Sequence, residues 1–261
     1  MTMKLTNNVI SRMTMSKRCA GRNNEAGEIT EVIQQVGELF ATLYLADYIG
    51  FFKHLDVQGI TKKVKVVRYR LESMMEEVIK EHEEARLKNK MDNQRNKGKD
   101  LVDLMIDLME AEDSEMRFSR QSARAFVLEM FTAGTNSSAS VMEWTLAEFI
   151  ENPSIFQKAR KEIDSVVGKN RLVRQSDIPN LPYLQAVVKE TMRLHPPAPF
   201  FPRESTRGCK IGGYDVPANA TLIVNEWAIS RDGNYWDNPL EYNPERFIAK
   251  KNILDVRGQH Y

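Results

Sequence analysis

Cysteine is scarce in this 261-residue chain, which contains only Cys19 and Cys209. Two isolated thiols cannot form the disulfide framework that stabilises small secreted domains. Long apolar runs are also missing, since no window approaches the roughly 18 residues that a membrane-spanning helix needs, and the first residues lack the apolar stretch of a secretory signal. Neither sign of charge dominates, because 37 basic residues accompany 36 acidic ones. This balance argues against general nucleic-acid binding, which needs a basic stripe.

The apolar residues that are present recur mainly at helical spacing, and the chain is long enough to bury a sizeable core. This pattern continues to about Pro196 and predicts helices near residues 28–48, 62–88, 101–108, 119–152, 153–168 and 182–195. After Pro197 the pattern changes, because residues 209–217 are typical of a tight hairpin and residues 220–227 of a strand. We therefore predict a mainly α fold with a small β region, divided into a helical part, 1–196, and a part rich in strands and turns, 197–261.

One stretch of the longest predicted helix is unusual in composition. Residues 132–138 read TAGTNSS, with apolar residues at helical spacing on both sides. Helix interiors disfavour Gly for entropic reasons, and Ser, Thr and Asn because their side chains compete for backbone hydrogen bonds. Such a stretch can open a local bulge whose hydroxyl and amide groups serve a ligand. The alternative is a helix–helix contact that requires small side chains.

Two charged elements follow later in the chain. Glu190 and Arg193 are spaced i,i+3, so they share one face of the helix that ends at His195. Arg246 lies in the turn-rich sequence Pro-Glu-Arg-Phe at 244–247. An exposed ion pair and a surface turn are the ordinary interpretations. If Arg246 folded back onto the pair, one buried carboxylate would bridge two guanidinium groups rigidly, but sequence spacing cannot show that they meet.

The order of three motifs resembles that of the cytochrome P450 monooxygenases. These motifs are AGTNSS at 133–138, KETMRLHPP at 189–197 and YNPERF at 242–247. Residues 176–186, 227–232 and 255–261 are similar to plant microsomal members, above all to the group that hydroxylates or rearranges flavonoids, isoflavonoids and triterpenoids. The resemblance covers essentially the whole chain and implies a partial cytochrome P450 fold.

The resemblance also implies a role for individual residues. It implies a haem whose iron is held by a Cys thiolate, which favours O–O cleavage, and electrons from NADPH delivered by a cytochrome P450 reductase. The positions that match the family motifs are Gly134, Asn136 and Ser137 for catalysis, Ala133 and Arg203 for contact with the haem, Glu190, Arg193 and Arg246 for a structural cluster, and Phe131, Ala198, Phe200 and Phe201 for contact with substrate.

The proton relay departs from the usual family pattern. Asn136 stands where an acid is common, and Ser137 stands where Thr is common. An amide can hydrogen-bond to water but does not titrate, so Asn136 can orient a proton donor without being one. We therefore expect the relay to depend on water and on the Ser137 hydroxyl.

Two family segments are not matched in this chain. Tyr261 comes just before the position of the family's Gly-rich haem loop and its Cys ligand, and neither Cys19 nor Cys209 matches that ligand. The membrane anchor and early helices of the family have no counterpart either, so the resemblance implies an internal fragment. We expect this exact polypeptide not to bind haem as a thiolate complex, and we predict no separate metal site.

Two functional classes therefore stay open. In the first, the sequence is part of a working enzyme on the cytosolic face of the endoplasmic reticulum, attached to the membrane only through the absent anchor. That enzyme would insert one atom of O₂ into a small hydrophobic plant metabolite, a flavonoid, isoflavonoid or triterpenoid. In the second, it is a truncated product without catalysis.

Overall fold

Helices dominate the computed structural model, which describes residues 1–16, 25–42, 44–91, 98–111 and 118–249. The helices are α1 (Thr2–Met15), α2 (Glu25–Ala41), α3 (Leu45–Tyr48), α4 (Ile60–Met91), α5 (Leu101–Glu110), α6 (Arg120–Glu151), α7 (Pro153–Val166), α8 (Pro182–Leu194), α9 (Glu226–Ile229) and α10 (Glu245–Ala249). The strands are β1 (Phe200–Glu204), β2 (Cys209–Ile211), β3 (Tyr214–Val216) and β4 (Thr221–Asn225). The predicted mainly α fold with a small β region is confirmed.

Two helix boundaries differ from the sequence prediction. The helix expected over 28–48 is interrupted, because α2 ends at Ala41 and α3 begins at Leu45. At this break the Thr42 hydroxyl donates to the Glu38 carbonyl, and the Leu45 N–H donates to the Gln58 side chain. Side-chain groups thus take over bonds that a continuous helix would make with its own backbone. Helix α4 is longer than expected, since its charged end consists of good helix formers without Gly or Pro.

The chain divides into two compact units, Met1–Ala139 and Ser140–Tyr261, with the boundary inside α6. In the first unit, the buried face of α6 repeats every four residues, so that the side chains lie one above another. These residues pack in a core with α1, α2, α4 and α5 whose buried members are Met15, Ile33, Met75, Ile79, Val102, Met105, Ile106, Ala123, Val127 and Phe131. No helix among the described residues is both long and apolar enough to cross a membrane.

One buried carboxylate joins three helices of the first unit. Asp100 caps the start of α5, where its side chain accepts from the Asp103 N–H at 3.0 Å. It also hydrogen-bonds with His82 Nε2 of α4 at 2.9 Å and with the side chain of Ser16, the residue that ends α1. The hydrogen bond with Asp100 raises the pKa of His82, against the opposing effect of burial. Asp100 therefore favours the protonated form of His82 in the interior of this unit.

The second unit combines the end of α6 with α7–α10 and two small antiparallel sheets. Strand β1 pairs with β4, and β2 pairs with β3 as the predicted hairpin. The hairpin turn places Gly212 and Gly213 at φ 58° and 88°, the left-handed backbone that a two-residue turn of this kind requires. The core of the second unit lies between α7 and α8. There Ala159, Tyr183 and Val187 are buried against Phe149, Ile155 and Ile248.

Candidate functional site

Glu190 and Arg193 form a fully buried ion pair on the inner face of α8. Their side chains are 0% exposed. Arg193 Nη2 and Nε donate to the two carboxylate oxygens of Glu190 at 2.7 and 2.8 Å, a bidentate arrangement. Such a pair is strong only where the surroundings satisfy the remaining hydrogen-bonding groups.

Backbone carbonyls satisfy the rest of the Arg193 guanidinium. Its Nη1 donates to the carbonyls of Ser230 and Pro239 at 2.6 and 2.8 Å, and its Nη2 donates to that of Glu241 at 3.1 Å. The Trp236 ring lies 5.1 Å from its central carbon. One side chain of α8 therefore holds the irregular segment 230–241 in place.

The third member, Arg246, comes from α10 and meets the same carboxylate. Its Nε donates to Glu190 Oε1 at 3.0 Å, and the Asn243 N–H donates to that oxygen at 2.8 Å. Its other nitrogens donate to carbonyls of Asp237, Asn238 and Glu241. The structure thus brings together the three residues that the sequence left apart, and we call Glu190, Arg193 and Arg246 the arginine–glutamate cluster.

A chain of buried hydroxyl groups, not foreseen from the sequence, lies beside this cluster. Thr191 Oγ1 is 2.8 Å from Tyr242 OH and 3.0 Å from Thr145 Oγ1 on α6. Burial raises the pKa of Tyr242 to about 12, so its hydroxyl keeps its proton at neutral pH. One feature of the sequence could have indicated this chain of hydroxyl groups: Thr191 lies next to Glu190, on a helix whose inner face is apolar.

The TAGTNSS stretch of α6 stays regularly helical, so the bulge considered from the sequence does not form. The Thr132 hydroxyl donates to the Leu128 carbonyl at 3.0 Å, and the Ser137 hydroxyl donates to the Ala133 carbonyl at 2.5 Å. Both hydroxyls are thus satisfied within the helix, four residues back along it.

The predicted site residues of this stretch do not share one face. Ala133 and Asn136 are exposed, and Ser137 is half-buried. Gly134 faces α1 instead, since a Cβ there would lie 2.6 Å from Ile10 Cδ1. The helix–helix contact proposed as the alternative is therefore present at Gly134, while the neighbouring face stays open.

The position of Phe131 differs from the one expected for a residue that contacts substrate. Its side chain is 1% exposed and lies within the core of the first unit, so it offers no surface to a substrate. Thr135 follows one turn later on this buried stripe, and its Oγ1 has no hydrogen-bond partner among the described residues. The sequence pattern was ambiguous here, because a glycine-containing helix with low amphipathicity does not reveal its inner face.

The segment expected to contact haem and substrate runs from the connection after α8 into β1. Ala198, Phe200 and Phe201 are exposed. Arg203 lies on β1, where its guanidinium contacts the Phe201 ring and donates to the Pro202 carbonyl at 3.0 Å. Within the described part of the chain no carboxylate forms an ion pair with Arg203. Cys209 is an exposed free thiol on β2, and Cys19 lies outside the described residues.

Two further features of the first unit have the geometry of a binding site. A cavity of about 500 Å³ opens between α2, α4 and α6, and its lining is mostly apolar, including Val36, Leu39, Val67, Leu71 and Leu128. Among the described residues, one grouping could hold a metal by distance, His82 with Asp100 and Asp103. Its ligand atoms hydrogen-bond to one another and to the backbone, and we assign it the structural role described above.

Comparison with known proteins identifies the family. The profile described as Cytochrome P450 matches residues 1–261. This chain belongs to the cytochrome P450 family. The prediction from the three ordered motifs is confirmed.

Several plant cytochromes P450 are similar over almost the whole chain. The β-amyrin 24-hydroxylase of Glycine max is 53% identical over 98% of this chain and 50% of its own length. The 3,9-dihydroxypterocarpan 6A-monooxygenase of Glycine max is 45% identical over 99% of this chain and 51% of its own length. The 2-hydroxyisoflavanone synthase of Glycyrrhiza echinata is 39% identical, with shares of 99% and 50%. The chain thus spans about half the length of the curated relatives that it matches.

A solved cytochrome P450 supports the fold. The zebrafish cytochrome P450 determined with progesterone has a TM-score of 0.77 and 25% sequence identity, covering 95% of this chain and 55% of that chain. The fold described above is therefore a partial cytochrome P450 fold.

Proposed function

We propose that this sequence belongs to a haem-dependent monooxygenase that inserts one atom of O₂ into a hydrophobic plant metabolite. The arginine–glutamate cluster carries the proposal, because it brings Arg246 of one motif into a buried, hydrogen-bonded arrangement with Glu190 and Arg193 of another motif 56 positions earlier. The relatives named above, a triterpenoid hydroxylase, a pterocarpan monooxygenase and an isoflavanone synthase, support the reaction class.

Two described residues, one in each unit, have side chains of a kind that suits contact with a haem. Arg203 has no carboxylate partner among them and lies on an exposed strand, so its guanidinium is free to pair with a propionate. Ala133 presents a small apolar side chain on the open face of α6, which suits the flat face of a porphyrin. A haem bound through a thiolate supplies oxygen activation. We assign the iron ligand to neither Cys19 nor Cys209.

We assign Asn136 and Ser137 to the proton relay, with Asn136 orienting a water molecule. The Asn136 side chain is exposed and lies close to α2, since a Cβ at Gly37 would be 3.7 Å from Nδ2. Its amide can hold a water between these helices without exchanging a proton of its own. Because the Ser137 hydroxyl already donates to the Ala133 carbonyl, its oxygen lone pairs are the part available to accept from that water.

A hydrophobic substrate is supported by the surfaces that the chain presents. Phe200 and Phe201 are exposed at the start of β1, next to Ala198. The cavity between α2, α4 and α6 is lined mainly by aliphatic side chains, and ligand sites are typically apolar with few polar groups. We therefore propose a flavonoid, isoflavonoid or triterpenoid substrate, with electrons from an NADPH-dependent reductase and the parent enzyme on the cytosolic face of the endoplasmic reticulum.

The test uses the natural gene product that contains these 261 residues, co-expressed with a plant NADPH-dependent reductase in yeast microsomes. A thiolate-type Soret band in the reduced carbon-monoxide difference spectrum, together with oxygenated products from a panel of triterpenoids and flavonoids, is the expected result. Arg203→Ala should weaken the band, and Lys210→Gln, which removes an exposed hairpin charge, is the matched control. Neither band nor product in the wild type would refute the proposal.

A further inference from the structure

His195 directly follows α8, and its imidazole ring contacts two side chains of α6. Its ring stacks on the Trp144 ring with centroids 3.9 Å apart and an interplanar angle of 3°. Its Nε2 lies 2.7 Å from Glu148 Oε1, and both side chains are about 15% exposed or less. Since an ionised carboxylate only accepts, Nε2 carries the hydrogen in this pair.

The surface that receives His195 is itself fixed. Trp144 and Glu148 are spaced i,i+4, so they lie on one face of α6, and Asn152 directly follows the end of that helix. Asn152 Nδ2 donates to Glu148 Oε2 at 3.1 Å, which leaves Oε1 for His195. The histidine therefore meets an aromatic face and a pre-oriented carboxylate together.

The chain that follows His195 is stiff. Pro196 and Pro197 each have a fixed φ, and neither has an N–H. Ala198 comes directly afterwards, and the Pro199 carbonyl accepts from the Trp227 N–H at 3.3 Å. Three residues span at most about 10 Å, so a rotation of about 10° at His195 would displace Ala198 by up to about 1.7 Å. Displacements of this size at a reacting centre cost on the order of 10²-fold in rate.

We infer that His195, held by Trp144 and Glu148, is a positioning residue that sets where the Ala198–Arg203 segment lies. The expected effect on catalysis rests on the proposed function, since the Ala198–Arg203 segment is the one proposed to contact substrate and haem. His195 itself contacts neither. It acts through the rigid Pro-Pro connection.

Two substitutions separate the components of the contact. His195→Phe keeps an aromatic ring against Trp144 and removes the hydrogen bond to Glu148, whereas Glu148→Gln keeps an acceptor and removes the charge. Asp215→Asn is the matched control, because it makes the same kind of change in an exposed ion pair of the hairpin. If His195→Phe fails to fold, Glu148→Gln keeps the inference testable.

The first measurement needs no haem and uses hydrogen exchange of the 261-residue chain. We expect exchange of the 198–204 amides to rise about tenfold in His195→Phe, the factor that corresponds to about 1.4 kcal/mol. Amides of α7 should stay at wild-type values. Unchanged exchange at 198–204 would overturn the inference.

The second measurement uses the natural gene product in microsomes and reads the ratio of products together with kcat and KM. We expect His195→Phe to change the product ratio and to lower kcat/KM about ten- to a hundredfold. A wild-type product ratio and kcat/KM in a variant with raised exchange would overturn the inference. Absence of both band and product in the wild type would refute the proposed function instead, and the exchange result would still decide whether His195 holds the segment.

Discussion

Replacing Glu190 by Ala is the sharpest test of the arginine–glutamate cluster. The carboxylate accepts four hydrogen bonds, two from Arg193, one from Arg246 and one from the Asn243 N–H. Both its side chain and that of Arg193 are 0% exposed. Glu190→Ala would therefore leave a guanidinium buried without its counter-ion.

The expected loss is large relative to the stability of the unit. Removing one partner of a buried ion pair costs about 3–5 kcal/mol, while a whole domain is stable by about 5–15 kcal/mol. With a urea m-value of about 1.5 kcal/mol/M, the unfolding midpoint should fall by roughly 2–3 M. Replacing Glu190 and Arg193 together by Met should cost less than Glu190→Ala alone, because the fully buried guanidinium is removed together with its counter-ion. Arg246, whose side chain is 10% exposed, is then the one member of the cluster left without its carboxylate.

Tryptophan fluorescence is a selective assay for this unit. All three tryptophans lie in it, at 144, 227 and 236, and Trp236 is 6% exposed beside Arg193. Urea titrations of the wild type, Glu190→Ala and the double variant would be compared with Asp215→Ala, which breaks an exposed pair worth about 0–1 kcal/mol. A Glu190→Ala midpoint indistinguishable from that of Asp215→Ala would refute the reasoning.

Three further predictions concern packing, pH and the hydroxyl chain. Gly134→Val should lower the free energy of unfolding of the first unit by about 1–3 kcal/mol through overpacking, and Ile10→Ala should recover part of this loss; urea unfolding followed by circular dichroism checks both. The pKa of His82 is raised in the folded state. The contribution of protonated His82 to the free energy of unfolding is therefore fully present below its unfolded pKa, about 6.5, and is lost as the pH rises through its folded-state pKa. Stability of the first unit should therefore fall toward alkaline pH, and His82→Gln should flatten this dependence; an equal slope in both proteins would contradict the preference of Asp100 for protonated His82. Thr191→Val should cost about 1–2 kcal/mol, because it removes one link of a buried hydroxyl chain, and a fluorescence midpoint unchanged from wild type would argue against that chain.

The sequence predicted most helices because their apolar positions recur with a period near 3.6 residues, a local property. It predicted the hairpin at 209–217 because two consecutive glycines allow the left-handed turn. It did not predict the break after Ala41, since that break depends on two competing hydrogen bonds, one that the Thr42 hydroxyl donates and one that the Gln58 side chain accepts. Nor did it predict that Phe131 is buried, because burial depends on which helices pack against α6.

By itself, the sequence determined the family, since three motifs in a fixed order are a property of the chain. It also determined that Asn136 cannot titrate, whatever its surroundings. Only the tertiary structure decided that Arg246 meets Glu190 across 56 positions of chain, and that Gly134 faces Ile10 while Ala133 faces outward. The physical reason is that contacts between distant residues depend on how helices and turns pack, and sequence spacing specifies neither the direction of a turn nor the side of a helix that another element covers.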